Sequence, residues 1–228
     1  MRFIEWEPIY KQILADFEFD RNKDEDAANI LKKLLKSKEV QTNSNLLELI
    51  EDKQINIFGA GPTLETDIEN SDFQGVIIAA DGATSPLMNK GIVPDIIVTD
   101  LDGYIPDQIN ANEQGATIII HAHGDNIDAL NHWVPKFKSN LLGTTQAQPD
   151  EKNNIYNFGG FTDGDRAVFL AAHFNARQII LVAFDFKNIG KYSFKFNSEI
   201  KLRKLTWSNL LIGMIEKPPI VFYGDESD

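Results

Sequence analysis

The sequence contains no cysteine, and this absence excludes several classes of site at once. A disulfide, a thiolate nucleophile and a zinc site built on cysteine all require a residue that the chain does not have. Only 4 of the 228 residues are histidine. A metal ion would therefore have to be bound by oxygen atoms or by one of these few imidazoles.

The sequence also has no long hydrophobic run. No window approaches the roughly 20 apolar residues that a membrane-spanning helix needs. Its N-terminal stretch, MRFIEWEPIYKQ, carries acidic residues and a proline where a secretory signal needs an apolar core. We therefore expect a soluble, cytoplasmic protein that has no membrane partner.

A surplus of positive charge is missing as well, since the formal net charge at pH 7 is -12. This charge repels the nucleic-acid backbone, so we expect no nucleic-acid partner. A ligand that carries phosphate groups would have to be met by a metal ion or by cations placed locally around it. Self-association as a homo-oligomer is compatible with the sequence, because Trp6, Trp133 and Trp207 are expected at the surface.

The pattern that is present divides the chain into three segments. Residues 1–53 place apolar side chains at helical spacing, which predicts a helical N-terminal segment. Residues 54–186 contain the runs INIF, GVIIAA, DIIVT, ATIIIH and QIILVAF, which are typical of buried strands. They predict an α/β domain with a doubly wound, mostly parallel, Rossmann-like sheet. Residues 187–228 predict a basic loop and a helix, from about residue 201 to 216, that pack on the same domain.

Each predicted strand ends in a polar or glycine-rich segment. In chain order these segments read GAGPT, DGATS, DLDG, HAHGDN and AFDF. Sheets of this type bind their ligands at the carboxyl ends of the strands. Five such endings in succession are more than the fold itself requires, so we predict the functional site at this edge of the sheet.

Two aspartates, Asp100 and Asp102, directly follow the third predicted strand. Alternate residues of an extended chain point to the same side, so both carboxylates can face one ligand. Two like charges this close repel each other unless a cation lies beside them, and Mg²⁺ prefers carboxylate oxygens together with phosphate and water. We therefore predict a magnesium site. The alternative is one helix cap and one solvated turn residue.

The first predicted strand is followed by FGAGPTLE, in which Gly59 and Gly61 precede a helix predicted to start near Thr63. Backbone N–H groups at such a helix end would suit a phosphate. Two alternatives stay open. The glycines can serve tight packing of the turn alone, or the segment can bind a nicotinamide dinucleotide, because Asp81 lies about 20 residues farther along.

The fourth predicted strand ends in HAHGDN, which places His121 and His123 on one side of an extended segment, with Asp125 after them. This pair could bind zinc or another transition metal and would then belong to a metal-dependent hydrolase. We favour contacts between these imidazoles and phosphate or an aromatic ligand, because His132 and His173, in predicted helices, leave few further ligands for such a metal.

The segment NFGGFTDGDRAVFLA predicts the start of a helix, because Thr162 or Asp163 can act as its N-cap. Arg166 lies in the first turn and is one of the few cations near the predicted strand ends. It could neutralise a phosphate or form an ordinary surface salt bridge, and both interpretations stay open.

The order of GAGPT, ADGA, GIVPDIIVTDLDG, HAHGDN and GGFTDGDRA resembles the archaeal 6-hydroxymethyl-7,8-dihydropterin diphosphokinase family, which is similar to thiamine pyrophosphokinase in its α/β domain. Thiamine pyrophosphokinases have a comparable ADGG, a G-x-x-PD-x-x-x-GDFDS segment and a later TD. The corresponding residues here are 80–83, 91–103 and 162–163, with Thr99 in place of glycine and Gly103 in place of serine. Only about 40 residues follow the last predicted strand, too few for the C-terminal β-sandwich of the thiamine enzymes.

The resemblance implies magnesium-dependent transfer of diphosphate from ATP to 6-hydroxymethyl-7,8-dihydropterin, with release of AMP, in folate or methanopterin biosynthesis. It implies that Asp100, Asp102 and Asp125 bind Mg²⁺ and, with Asp163, are the catalytic residues. The implied contacts to ATP and its phosphates are Gly59, Gly61, Thr63, His121, His123 and Arg166, and the implied contacts to the pterin are Asp81, Gly82, Asn126, Phe161 and Asp185. A thiamine pyrophosphokinase, a histidine-based hydrolase and a non-catalytic nucleotide-binding module stay open as alternatives.

The C-terminal tail is basic within an otherwise acidic protein. Its Lys187, Lys191, Lys195 and Arg203 could close over a triphosphate as a lid, which would exclude water from the reaction. The alternative is a solvated surface loop.

Overall fold

Eight strands form a single sheet within residues 1–70, 72–193 and 197–224, the part of the chain that a computed structural model describes. They are β1 (Gln54–Phe58), β2 (Val76–Ala80), β3 (Ile96–Thr99), β4 (Thr117–Ala122), β5 (Leu141–Thr145), β6 (Ile155–Tyr156), β7 (Gln178–Val182) and β8 (Ile220–Phe222). The spatial order is β6-β5-β4-β3-β2-β1-β7-β8, and every neighbouring pair is parallel. The predicted parallel α/β sheet is therefore confirmed.

Helices cover both faces of this sheet. They are α1 (Phe3–Phe17), α2 (Arg21–Leu35), α3 (Asn43–Ile50), α4 (Leu64–Glu69), α5 (Thr84–Asn89), α6 (Ile105–Glu113), α7 (Ile127–Trp133), α8 (Asp163–His173) and α9 (Ser198–Gly213). One core lies between the sheet and α2 and α4 to α7, and a second lies between the opposite face and α3 and α8. Burial on both faces explains why the central strands read as continuous runs of branched apolar residues.

The sequence pattern misses three of the strands. β5 reads LLGTT, so glycine and threonine interrupt the apolar run. β6 has only two residues, and β8 is a three-residue edge strand whose Val221 and Phe222 are exposed. The tail is thus not only a loop and a helix, because it also adds a strand beside β7.

The C-terminal helix begins three residues before its predicted start. The side chain of Asn197 accepts hydrogen bonds from the N–H groups of Glu199, at 3.0 Å, and Ile200, at 3.5 Å. This N-cap satisfies backbone donors that the first turn would otherwise leave unpaired. The cap fixes where α9 starts, and the packing described below fixes which of its faces meets the sheet.

The chain reverses direction across the sheet at β1. From β1 it adds strands outward to β6, and it then returns to place β7 on the other side of β1. The loops that follow β1 and β7 therefore diverge from a topological switch point, where open α/β sheets form a ligand-binding crevice.

The N-terminal segment is helical, as predicted, and it forms a third core with α8 and α9. Trp6, Tyr10 and Ile13 of α1 are buried there against Phe161 and Leu211. The expectation that Trp6 lies at the surface is wrong: it is 1% exposed, and its indole Nε1 donates to the carbonyl oxygen of Gln146 at 2.9 Å. A buried indole whose N–H group has a hydrogen-bond partner stabilises the fold and is not available at the surface for self-association.

Among the described residues, none of the helices combines the length and the apolar character that crossing a membrane would require.

Candidate active site

A cavity of about 400 Å³ lies at the carboxyl edge of the sheet. The strand-end segments and the start of α8 converge on it, as the polar endings predict. The residues singled out from the sequence that line it are Gly59, Gly61, Asp81, Gly82, Asp100, Asp102, His123, Asp125, Phe161, Asp163, Arg166 and Asp185. Thr63, His121 and Asn126 do not line it.

Three carboxylates form the centre of the cavity. Asp81 follows β2, Asp100 follows β3 and Asp163 is the first residue of α8, and one oxygen atom of each lies within 4.8 Å of the others. The Asp102 carboxyl lies beside Asp81 and Asp100. Asp125, predicted as a metal ligand, is exposed and lies outside this group of three.

Buried hydrogen bonds orient Asp81. Its Oδ1 accepts from Thr99 Oγ1 at 2.5 Å and from Gln108 Nε2 at 2.8 Å. A Cβ atom at position 103 would overlap the Asp81 carboxylate, so the glycine found there is required by this close approach. This close approach explains why position 103 is glycine here, where thiamine pyrophosphokinases have serine.

The carboxylates change one another's proton affinity. Burial, followed by the negative charges of Asp163, Asp100 and Asp102, raises the pKa of Asp81 well above its ordinary value. Burial and the charge of Asp100 raise the pKa of Asp163, and the same two causes raise the pKa of Asp102 to about 6. Burial acts in the same direction on Asp100, but its hydrogen bond and charge interaction with His123, together with the charges of Arg166 and Lys204, outweigh burial and leave the Asp100 pKa lowered.

These residues fit a hard divalent cation. Asp100 Oδ1 is buried and has no hydrogen-bond partner among the described residues, and the mutual repulsion of the carboxylates is the electrostatic signature of a site that a cation would relieve. Oxygen is the ligand that Mg²⁺ prefers, through one or two carboxylates together with substrate phosphates. The arrangement therefore fits Mg²⁺ through Asp81, Asp100 and Asp163.

An Asp102→Asn variant is expected to make the metal-free protein more stable at pH 7.5. The folded pKa of about 6 lies above the unfolded value, so the wild-type protein loses stability as pH rises between these two values and bears the full cost above pH 6. Removing the charge should raise the free energy of unfolding by about 1 to 3 kcal/mol at pH 7.5.

This gain should disappear at pH 4, where the folded wild-type protein keeps Asp102 protonated. Thermal unfolding in EDTA at both pH values measures the effect, with Asp26→Asn, an exposed carboxylate of α2, as the control. If Asp102→Asn raises the free energy of unfolding equally at both pH values, the effect comes from packing and not from removal of the charge.

Cations face the acidic centre from α8 and α9. Arg166 is buried and its Nη1 lies 2.9 Å from Asp163 Oδ1, so it forms a buried ion pair and not the surface salt bridge left open above. Lys201 and Lys204 of α9 also line the cavity. These two lysines were not predicted from the sequence, although their spacing of three residues on a helix predicts a shared face.

Of the four basic residues considered for a lid, the three that the structure describes do not line this cavity. Lys191 forms an ion pair with Glu65, with 2.5 Å between Nζ and Oε2, and Arg203 Nη2 lies 3.1 Å from Asp16 Oδ1. Lys187 lies elsewhere on the loop, outside the cavity lining. Lys195 falls outside the described residues.

The two histidines of HAHGDN have different surroundings. His121 is buried with Nδ1 3.1 Å from Thr144 Oγ1, and burial, followed by the charges of Arg166 and His123, lowers its pKa well below the ordinary value. His123 Nε2 lies 3.3 Å from Asp100 Oδ2. Within the described ranges, the group of side chains spaced for a metal ion contains no histidine. The pair thus lacks the arrangement that the hydrolase alternative requires.

The glycines after β1 pack against the end of β7. Gly59 N donates to Val182 O at 2.9 Å, and Gly61 N donates to Ala183 O at 3.0 Å. A Cβ atom at position 61 would overlap the Ala183 carbonyl. Both N–H groups therefore already have acceptors, which supports the interpretation that these glycines serve tight packing of the turn. If this loop contacts a phosphate, other atoms of the loop would have to do so.

Three further predicted contacts are involved in local structure. The Thr63 hydroxyl donates to Asp67 Oδ2 at 2.7 Å on the surface. Asn126 Nδ2 donates to the carbonyl oxygens of Asp100 and His121, both at 2.7 Å, and so holds the HAHGDN segment against the end of β3. Asp185 accepts from the backbone N–H groups at 187 and 188 while lining the cavity.

Thr162, and not Asp163, caps α8. The Thr162 hydroxyl and Asp165 form a reciprocal capping box, in which the Asp165 carboxylate also accepts from Phe161 N at 2.7 Å. The cap frees the side chain of the next residue, Asp163, to point at the acidic centre. Because Thr162 and Asp163 are adjacent in the sequence, the cap and the cavity carboxylate occupy successive positions at the start of α8.

Comparison with known proteins gives consistent results. The profile of the family described as 6-hydroxymethylpterin diphosphokinase MptE-like matches residues 28–191. A protein named 6-hydroxymethyl-7,8-dihydropterin pyrophosphokinase from Methanocaldococcus jannaschii is 40% identical over 230 residues, covering 93% of this chain and 95% of the relative. Its namesake from Pyrococcus furiosus is 45% identical over 195 residues, covering 85% and 82%, respectively. A third, from Methanothermobacter thermautotrophicus, is 40% identical over 223 residues, covering 93% and 94%.

A solved structure, MAf glycosyltransferase from Magnetospirillum magneticum AMB-1, aligns with a TM-score of 0.49 at 20% identity, covering 78% of this chain and 29% of that one. A likeness of that size carries no functional argument. The family match, in contrast, spans the segments that carry Asp81, Asp100, Asp102 and Asp163. The chain therefore belongs to the 6-hydroxymethylpterin diphosphokinase MptE-like family, a family of diphosphokinase enzymes.

Proposed function

We propose that this protein transfers diphosphate from ATP to 6-hydroxymethyl-7,8-dihydropterin in a magnesium-dependent reaction that releases AMP. The family and the names of its relatives support the reaction class and the acceptor. The observation that carries the metal dependence is the group formed by Asp81, Asp100 and Asp163, whose oxygen atoms converge at the centre of the cavity.

When bound, Mg²⁺ would neutralise charge on the phosphate oxygens and orient the triphosphate. Asp81, Asp100 and Asp163 would hold it. The transfer itself asks little covalent work of the protein, so positioning and charge neutralisation would supply most of the catalysis.

In the proposed step the acceptor hydroxyl oxygen bonds to the β-phosphorus. The bond between that phosphorus and the oxygen bridging to the α-phosphate breaks, and the bridging oxygen leaves as part of AMP. The hydroxyl proton must go to a base, and the Asp102 carboxyl, which lies beside Asp81 and Asp100, is placed to take this role. Arg166, Lys201 and Lys204 supply positive charge opposite the carboxylates.

The test is release of AMP from Mg-ATP by the purified protein. AMP is expected only with 6-hydroxymethyl-7,8-dihydropterin, in equal amount to the diphosphorylated pterin, and it should cease in EDTA. Parallel reactions contain thiamine or no acceptor. AMP with thiamine alone would assign a thiamine pyrophosphokinase, ADP would contradict diphosphate transfer, and binding of ATP without any product would favour the nucleotide-binding module.

A further inference from the structure

The acidic centre divides the cavity into two ends. Asp81 and Asp100 follow β2 and β3, while β1 and β7 lie on one side of these strands and β4 and β5 on the other. From β1 to β4 there are three strand spacings, about 14 Å. Substrate groups bound beside β1 and beside β4 would therefore lie on opposite sides of the metal-binding carboxylates.

The end beside β1 and β7 is called the crevice end. It is lined by Gly59, Gly61, Ala183 and Phe184, with Gly190 packed against the glycine loop. It lies at the topological switch point, where sheets of this type bind nucleotides. The side chains named here are small or aromatic, which leaves room for an adenosine, and the acidic Asp185 follows Phe184 in the chain.

The end beside β4 and β5 is called the helical end, because the turn between α1 and α2 covers it. Phe19, Lys23 and Asp24 come from this N-terminal segment, and Gly124 and Gln146 come from the ends of β4 and β5. The Phe161 ring packs 6.5 Å from that of Phe19, between centroids. The helical end thus combines an aromatic face with a carboxylate, although the N-terminal segment had no function predictable from its sequence.

Asp24 is a buried carboxylate that no cation neutralises within 4.0 Å among the described residues. Its Oδ1 accepts from Gly124 N at 2.7 Å, and its Oδ2 accepts from Tyr10 Oη at 2.6 Å and Gln146 Nε2 at 2.8 Å. A carboxylate offers about four acceptor positions. One on Oδ1 therefore remains for a donor in the cavity.

A second observation at the same place points to a ligand. Gln146 is 3% exposed and lines the helical end, yet its Oε1 has no hydrogen-bond partner within the described ranges. The Gln146 side chain has a hydrogen-bonding interaction with the neighbouring imidazole of His121, but it falls outside normal hydrogen-bond geometry, and His121 Nε2 has no other partner within the described ranges. Buried polar atoms without hydrogen-bond partners destabilise the folded protein, and a ligand that brings hydrogen-bond donors would reduce this destabilisation.

We propose that the helical end binds the heterocycle of the acceptor, and that Asp24 and Phe19 of the N-terminal segment determine which acceptor is used. The inference rests on the proposed function. The ligand class is a planar aminopyrimidinone, whose amino group and adjacent ring N–H are two neighbouring donors: one suits the open position of Asp24 Oδ1, and the other suits the nearby Gln146 Oε1. Adenine instead presents an amino donor beside a ring acceptor, so it matches this pair of acceptors less well.

The direction of transfer agrees with this assignment. Attack and departure at the β-phosphorus are in line, so the acceptor and the adenosine must approach from opposite sides of the transferred group. An adenosine at the crevice end leaves the helical end for the acceptor.

The experiment measures KM for both substrates in Asp24→Asn and Phe19→Ala, with Asp26→Asn as the matched control on an exposed face of α2. Each of the two variants should raise KM for the pterin by about 10- to 50-fold and change KM for ATP by less than twofold. Fluorescence titration of the pterin without ATP should show the same loss of affinity. Wild-type protein should also prefer the pterin to its 2-oxo analogue, and Asp24→Asn should lose that preference.

The outcomes separate the inference from the function on which it rests. Normal AMP release with a raised KM for ATP, and an unchanged KM for the pterin, would place the nucleotide at the helical end and overturn the inference alone. Absence of AMP from wild-type protein would instead overturn the proposed function, and pterin binding in the titration would still test the inference. If Asp24→Asn does not fold, Phe19→Ala decides the outcome.

Discussion

An Asp100→Asn variant is expected to lose AMP formation by a factor on the order of 10³ or more while keeping its fold. Asp100 has one buried carboxylate oxygen without a partner, and its lowered pKa means that it is ionised at neutral pH. The asparagine amide keeps one oxygen but has no charge. It also presents an NH₂ group to either His123 or the metal site, and neither position suits a donor there.

The measurement is kcat for AMP release at saturating Mg-ATP, with circular dichroism and thermal unfolding to establish that the variant is folded. Asp128→Asn is the matched control, since this exposed aspartate on α7 does not line the cavity, and its kcat should stay within twofold of wild type. More Mg²⁺ should recover part of the lost rate. A folded Asp100→Asn protein that retains a tenth of wild-type kcat would remove this residue from the proposed metal site.

Local sequence pattern predicted that carboxylates gather at the strand ends, but it predicted only some of the residues that form the acidic centre. The strand endings located Asp81, Asp100 and Asp102 correctly, because the carboxyl ends of parallel strands share one edge. The grouping depends on the backbone after each strand. Asp81 and Leu101 both have positive φ values, 36° and 68°, which redirect the chain away from simple alternation. Asp163 joins them only through the packing of α8, which no spacing rule reveals.

The cations of the candidate site were also only partly predictable from the sequence. The sequence left open whether the basic tail closes over the site or is a solvated surface loop, and it did not indicate which face of α9 meets the cavity. Trp207 Nε1 donates to Asp16 Oδ2 at 2.8 Å, and Arg203 bonds to the same residue. These contacts attach one face of α9 to α1 and leave Lys201 and Lys204 on the cavity side. The partner that sets this rotation lies 191 residues from Trp207 along the chain.

Lys204→Met is expected to lower kcat/KM for ATP by about 10²-fold, with little change in KM for the pterin. Lys204 lies between the acidic centre and the aromatic rings, with Nζ 5.6 Å from the centroid of Phe161 and 6.0 Å from that of Phe19. It forms no ion pair within the described part of the chain. Burial lowers its pKa, and the charge of Asp100 opposes that effect. A half-buried lysine without an ion-pair partner among the described residues, beside a cavity proposed to hold a triphosphate, is suited to bind that anion.

Methionine is chosen because it keeps most of the apolar stem that packs on the two rings, so the change tests charge and not packing. Lys204→Arg should recover at least a tenth of the wild-type kcat/KM, since it restores the cation. Arg203→Met is the control on the same helix, because Arg203 bonds to Asp16 outside the cavity; its kcat/KM should stay within about threefold of wild type. Equal losses in Lys204→Met and Arg203→Met would assign the effect to the docking of α9. A loss confined to Lys204→Met, and recovered by arginine, would identify α9 as the element that supplies positive charge to the transferred phosphates.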